Sequence, residues 1–292
     1  MRRQWESMNK REGRLAKQNK LRQFLLSSPY VLWSIGFIIL PLVMVVYYGL
    51  TSRDGGGFTL ENLKLIWEPT HRATLILSVQ LSVISTILCL LIAYPLALAL
   101  RSLRLKSNGF VILLFMLPMW MNFLLRTIAW QNILEKNGVI NMVLGAVGLP
   151  KLNIINTPTA IVLGMVYDFL PFMIIPIYNV LSKIGDDVIQ AAADLGANYF
   201  QILWRVILPL SKPGIVSGLT MVFVPSLTTF VISDILGGGN ILLIGKVIEQ
   251  KFKMANDWNA GCGLSLVLMV FIFICMAIVQ KYDKDSEGTS VW

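Results

Sequence analysis

Six apolar runs of hydrocarbon length dominate this chain, at about residues 30–50, 75–100, 110–130, 159–180, 215–236 and 260–280. A helix of about 20 largely apolar residues crosses the roughly 30 Å hydrocarbon core of a bilayer. These runs are too long for strands, and none alternates strictly as an outer-membrane barrel strand does. Charged residues make up only 14% of the 292, where a soluble domain carries about a quarter. The balance excludes a disordered chain, a collagen, a disulfide-rich secreted module and a water-soluble enzyme. The expected fold is an all-α membrane protein of six transmembrane helices.

Prolines 41, 95, 118, 171, 176 and 225 fall within these runs. Spanning helices tolerate proline when neighbours or water satisfy the freed carbonyls, so each marks either a kink near a pathway or an ordinary bend. Residues 1–29 are too long and too charged for a cleavable signal peptide, so the first run is expected to be an uncleaved span. Eight Lys and Arg within residues 1–22 place the N-terminus in the cytoplasm, and an even number of spans returns the C-terminus to the same side. Arg101, Arg104 and Lys106, the 181–214 loop, Lys281 and Lys284 then lie inside, giving 16 basic residues inside against nine outside, out of 25. The expected organisation is a basic cytoplasmic segment at 1–29, a six-helix domain at 30–280 and a cytoplasmic tail at 281–292. The outer segments are 51–74, with three glycines at 55–57, 131–158 and 237–259.

The net charge of +9 does not describe a nucleic-acid binder, because the basic residues flank hydrocarbon-length segments rather than clustering on a polar surface. Cys89, Cys262 and Cys275 lie in or beside apolar runs without CxxC spacing and read as small buried hydrophobes. With His71 as the one histidine, expected in an exposed loop, neither a metal site nor a Ser/His/Asp triad can be assembled. Gly245-Lys246 superficially matches the end of a phosphate-binding loop. Asn240 stands where that motif needs glycine, and Val247 where it needs Ser or Thr. The chain is expected to bind no nucleotide, cofactor or metal of its own.

The loop between spans four and five carries the strongest signal. Asp186 and Asp187 suit a helix N-terminus, and Val188, Ala192, Leu195 and Tyr199 recur at helical spacing as one apolar face. Ala191, Ala192 and Ala193 give helix propensity and a thin surface. Gly196 can take positive φ and turn the chain into a second short helix ending before Pro209. Residues 190–209, QAAADLG followed nine residues later by VILP, resemble the EAA motif of ABC importer membrane subunits. Ala191, Ala192, Gly196, Leu208 and Pro209 match, while Gln190 replaces the motif's Glu and Val206 its Ile.

The resemblance implies a MetI-like importer permease fold. It also implies that loop 186–209 is a coupling helix seated in a cleft of a separate ATPase, with Asp187, Gln190 and Leu195 among the coupling residues. LLFMLPMWMNFLLR at 113–126, LGMVYDFLPFMIIPIYN at 163–179 and ISDILGGGNILLIGKVIEQKF at 232–252 narrow it. Together they look like the first permease of spermidine/putrescine importers. The implied partners are two copies of an ATP-binding subunit, which hold the ATP and magnesium, a second similar permease, and an extracytoplasmic polyamine-binding protein. The implied location is a bacterial plasma membrane. The alternatives are the same machine for another solute, such as a ferric complex, thiamine or an opine, and a secondary transporter. No internal repeat supports the latter.

A pathway for a polyamine calls for sparse carboxylates and aromatic faces for its ammonium groups. Asp168, near the middle of span four, and Asp234, near the outer end of span five, are the two intramembrane carboxylates. Trp120, Asn122 and Tyr167 lie at matching depth. Bland roles are open for each. Asp234 caps the turn at Gly237 or pairs with Arg126, Asp168 hydrogen-bonds across helices as a protonated acid, and Trp120 and Tyr167 are packing. Met116, Met119 and Met121 read as core filler.

Overall fold

A computed structural model describes residues 28–53, 57–102 and 116–287, with side chains described through residue 281. The expectations for the basic segment up to residue 27, for Gly55 and Gly56, for Arg104 and Lys106, and for the first part of the third span fall outside the described residues. The described chain is helical, with one isolated antiparallel bridge between Thr51 and Phe58.

Helix α1 (Ser28–Gly49) is the first span. A short helix α2 (Glu61–Lys64) leads to α3 (Pro69–Ser102), the second span. Five helices among the described residues are long and apolar enough to cross a membrane, not the six expected; in place of the expected third span stand a helical turn at 116–120 and α4 (Phe123–Leu134). Helix α5 (Val139–Ala146) precedes the fourth span, α6 (Pro158–Leu181). Then come α7 (Asp186–Asp194), the long α8 (Tyr199–Thr228), the short α9 (Val231–Leu236), α10 (Ile244–Lys253) and the last span, α11 (Trp258–Glu287).

The core is built around α6, with α3 and α8 packed along it. Small residues allow the close approach, as membrane helices require where no hydrophobic effect drives them together. On α3 a buried stripe runs through Ser78, Ser82, Ser85, Cys89, Ala93 and Ala97. Cys89 Sγ donates to the Val166 carbonyl at 3.7 Å, and Ser85 Oγ to Met165 Sδ at 3.4 Å. On α8, Gly214 and Gly218 form a GxxxG pair facing α6. A Cβ at Gly218 would sit 2.6 Å from Met173 Sδ, and one at Gly214 would sit 2.9 Å from the Pro176 carbonyl oxygen. Cys89 and Cys262 are buried and Cys275 is half-buried, as small hydrophobes.

Four spans follow their sequence expectation closely; two do not. The third is broken at Met121–Asn122, where Asn122 leaves helical geometry and caps α4, its Oδ1 accepting from Leu124 N at 2.9 Å. The fifth starts earlier and stops earlier than expected. Helix α8 is continuous from Tyr199 to Thr228, and extended backbone at Thr229 then separates it from α9. The second helix of the loop therefore does not end before Pro209 but runs through it. A π turn at Leu203–Ile207 makes this possible: Leu208 N bonds to the Leu203 carbonyl, five residues back. The wider turn relieves the crowding that a proline ring imposes on the carbonyl four residues earlier. The same device, at Ile35–Ile39 with Leu40 N bonded to the Ile35 carbonyl, precedes Pro41 in α1.

Candidate functional site

Three places in this frame bear on function. At the first, α7 ends in a Schellman motif. Gly196 takes φ +82°, its N–H donates to the Ala193 carbonyl at 2.8 Å, and Ala197 N donates to the Ala192 carbonyl at 3.1 Å. Asn198 and Gln201 then form a capping box that starts α8. Gly185, not an aspartate, is the N-cap of α7, and no side chain caps it. Asp186 and Asp187 lie in the first turn, where their charge complements the helix dipole. Val188, Ala192, Leu195 and Tyr199 do not share one buried face. Ala192 and Ile189 pack on the core, whereas Leu195 is 90% exposed and Val188 and Tyr199 are also exposed. With Phe200 and Trp204 they leave an apolar surface open at the turn.

Arg101 at the end of α3 holds this element to the bundle. Its Nη2 donates to the Ile184 carbonyl at 2.8 Å and lies 3.6 Å from Asp186 Oδ1. In the sequence Arg101 counts only as an inward-biased charge, because its partners lie more than 80 residues away.

At the second place, the break in the third span, Arg126 Nη1 donates to the Pro118 carbonyl at 2.8 Å, across the interruption. Arg126 Nε lies 3.1 Å from Asp168 Oδ1, and both side chains are buried. Asp234 is therefore not the partner of Arg126, as one bland reading had it. Trp120, Met121 and Asn122 are exposed beside the break, so Met121 is not core filler. Tyr167, next to Asp168, stands edge-on to Trp130 with ring centroids 5.1 Å apart.

The third place lies between the ends of α8 and α11. Asp234 is in α9, which packs against α4 and α6. The glycines after it turn the chain, Gly238 at φ +61° and Gly239 at φ +73°. Asp234 does not cap that turn: Lys246 Nζ lies 3.1 Å from its Oδ2 and 3.0 Å from Glu249 Oε2. Glu249 Oε1 in turn meets Lys253 Nζ at 3.0 Å. Hydrogen bonds from Lys246 and Lys253 hold the Glu249 carboxylate below its usual range, and Glu249, then Asp234, hold the Lys246 ammonium above its own. Lys246, Glu249 and Lys253 recur at helical spacing in the sequence, but nothing there brings Asp234 to them. The sequence places His71 in an exposed loop. It is buried in α3 instead, its Nδ1 2.8 Å from the Leu65 carbonyl.

A family model described as "Binding-protein-dependent transport system inner membrane component" matches residues 85–285. The chain belongs to that family. It is a multi-pass permease subunit of a binding-protein-dependent transport system, and this kind of subunit is not itself catalytic. The permease is 35% identical over 259 residues to the spermidine/putrescine transport system permease protein PotB of Haemophilus influenzae, covering 86% of this chain and 91% of that one. To PotB of Escherichia coli it is 33% identical over 260 residues, covering 86% and 94%. Among solved structures, a chain of a bacterial alginate ABC transporter in complex with an alginate-pentasaccharide-bound periplasmic protein superposes with a TM-score of 0.77. The two are 16% identical, with 94% of this chain and 99% of that chain covered, a likeness of fold.

Proposed function

We propose that this permease translocates polyamines, spermidine or putrescine, into the cell. The observation that carries the proposal is its 33–35% identity, over 86% of its length, to permeases of spermidine/putrescine systems. The chemistry of the candidate pathway supports it. Asp234 and Glu249 already hold ammonium groups, and Trp120 and Tyr167 offer exposed or half-exposed aromatic faces for cation–π contact.

In this mechanism the permease pairs with a second, similar chain around a central path, and both termini lie in the cytoplasm. Two copies of an ATP-binding subunit, which carry ATP and magnesium, dock on the inner side, and an extracytoplasmic binding protein delivers substrate to the outer segments. Asp187, Gln190, Ala191, Ala192, Leu195 and Gly196 form or shape the surface offered to the ATPase. Leu208 and Pro209 carry its displacement into α8, which is one continuous rod from the loop to Thr228. Arg101 passes the same displacement to α3. The inner and outer mouths thereby open in alternation. Asp234, Asp168, Trp120, Asn122 and Tyr167 line or border the path.

Uptake of labelled spermidine and putrescine by the complex, reconstituted with its binding protein and ATPase, tests the proposal. Saturable, ATP-dependent uptake of either is the expected result. Uptake of an iron complex, thiamine or an opine, with none of either polyamine, would assign the same machine to another solute.

A further inference from the structure

On the side of the bundle expected to face outward, two carboxylates and two ammonium groups alternate in one chain: Asp234, Lys246, Glu249 and Lys253. Lys246 holds the middle position, with 17% of its side chain exposed, bridging Asp234 and Glu249 from 3.1 and 3.0 Å. A lysine side chain is a primary ammonium on a four-carbon aliphatic stem. Putrescine carries a primary ammonium at each end of a four-carbon aliphatic chain. The side chain that occupies these carboxylates thus has the chemistry of the proposed substrate's end group.

Glu249 and Lys253 also stand at the rim of an open cavity of about 550 Å³ between α8, α10 and α11. Its walls include Phe230, Phe252, Ile272 and Phe273. An apolar, aromatic wall beside a carboxylate suits an aliphatic spacer that ends in a cation.

We propose, building on the polyamine assignment above, that Lys246 is a tethered competitor for substrate. It neutralises Asp234 and Glu249 while the outer mouth is empty, and the first ammonium of an arriving polyamine displaces it. The lysine swings out, the aliphatic spacer lies against the aromatic wall, and no carboxylate is left bare at any stage. Competition of this kind raises the apparent KM for substrate. Lys253, 71% exposed and paired among the described residues with Glu249, is the weaker competitor.

The test is saturation uptake of labelled spermidine by the full complex carrying Lys246→Met, Lys246→Arg, or Lys246→Met with Glu249→Gln. The methionine keeps the apolar stem and removes the cation. Its apparent KM should fall about threefold or more, the scale of one partly exposed ion pair. Arginine should hold KM near wild type, and the double variant should return KM to wild type or above. A KM at or above wild type in Lys246→Met, with normal amounts of complex, overturns the proposal.

If Lys246→Met does not assemble, the wild-type complex decides. Lys246 itself is labelled with a membrane-impermeant, amine-reactive reagent, and its modification is followed by mass spectrometry. A labelling rate that rises when spermidine-loaded binding protein is added supports displacement; an unchanged rate overturns it. Failure of the polyamine assignment looks different, because the wild-type complex then takes up neither spermidine nor putrescine, and this inference falls with it.

Discussion

Arg126 Nε lies 3.1 Å from Asp168 Oδ1, with the two side chains 8% and 1% exposed, inside a helical membrane bundle. The pair joins the broken third span to the fourth, and Arg126 also donates across the break to the Pro118 carbonyl, which accepts from Met121 N as well. Removing one member strands the other charge, which costs about 3–5 kcal/mol for a buried pair. Arg126→Met and Asp168→Leu are each expected to lower the yield of folded permease and its melting temperature in detergent. The double variant should recover most of the loss, since paired apolar replacements are often neutral. Additive losses in the double variant would show that the two charges act separately.

Gly196 has φ +82° at the end of α7. A β-branched residue in left-handed geometry costs about 1–2 kcal/mol, so Gly196→Val should distort the turn between α7 and α8. Nothing lies within 4 Å of an added Cβ, so the effect is on backbone conformation and not on packing. Membrane insertion should be normal, while uptake and substrate-stimulated ATP hydrolysis fall together. Wild-type values of both would remove the turn from the coupling path.

Leu195 is 90% exposed at the same turn, an arrangement that suits a side chain waiting for a partner's pocket. Leu195→Asp should leave the fold of this chain intact and weaken ATPase association by about 2 kcal/mol, a roughly 30-fold loss of affinity. Co-purification with a tagged ATPase measures this. Undiminished recovery would show that the contact uses Val188, Tyr199 or Trp204 instead.

Arg101 links α3 to the start of α7 through Ile184 and Asp186. Arg101→Met removes both contacts while keeping the side chain's apolar length. ATPase association should persist, because the exposed surface at Leu195 is untouched, but uptake per ATP hydrolysed should fall severalfold. A matched fall in association would make Arg101 part of the docking surface.

The spans were legible because each needs about 20 apolar residues, and such runs are hard to hide. The apolar run at about 159–180 matches α6, Pro158–Leu181, to within a residue at each end. The turn at Gly196 was legible for a local reason: few residues other than glycine tolerate its φ. Interruptions were not. Pro118 and Pro225 mark the neighbourhoods of the two breaks, but Pro95, Pro171 and Pro176 sit in unbroken helices. Charge partners were the least legible part. Asp168 and Asp234 stood out as intramembrane carboxylates, but their cations, 42 and 12 residues away, are assigned by the packing of α4, α6, α9 and α10.

Asp234 remains the candidate that links geometry to transport most directly. Its side chain is 46% exposed, and Lys246 engages one of its oxygens, Oδ2. It is therefore accessible at the surface in a way that Asp168 is not. Asp234→Asn keeps the size and most hydrogen bonding of the side chain and removes its charge. Two unit charges about 4 Å apart attract by roughly 1 kcal/mol in water and about 4 kcal/mol at an effective dielectric of 20. Loss of an interaction in the middle of that range weakens apparent affinity by about tenfold or more. The expected outcome is a large rise in KM for spermidine, a smaller rise for putrescine, which has fewer charges, and normal expression. The Lys246–Glu249 contact does not depend on Asp234 and should keep α10 in place. An unchanged KM for both polyamines would make Asp234 an anchor for Lys246 alone, and the search for the substrate carboxylate would move to Asp168. There, Arg126→Lys in the intact complex is the next probe, because it keeps the charge while loosening the hold on Asp168.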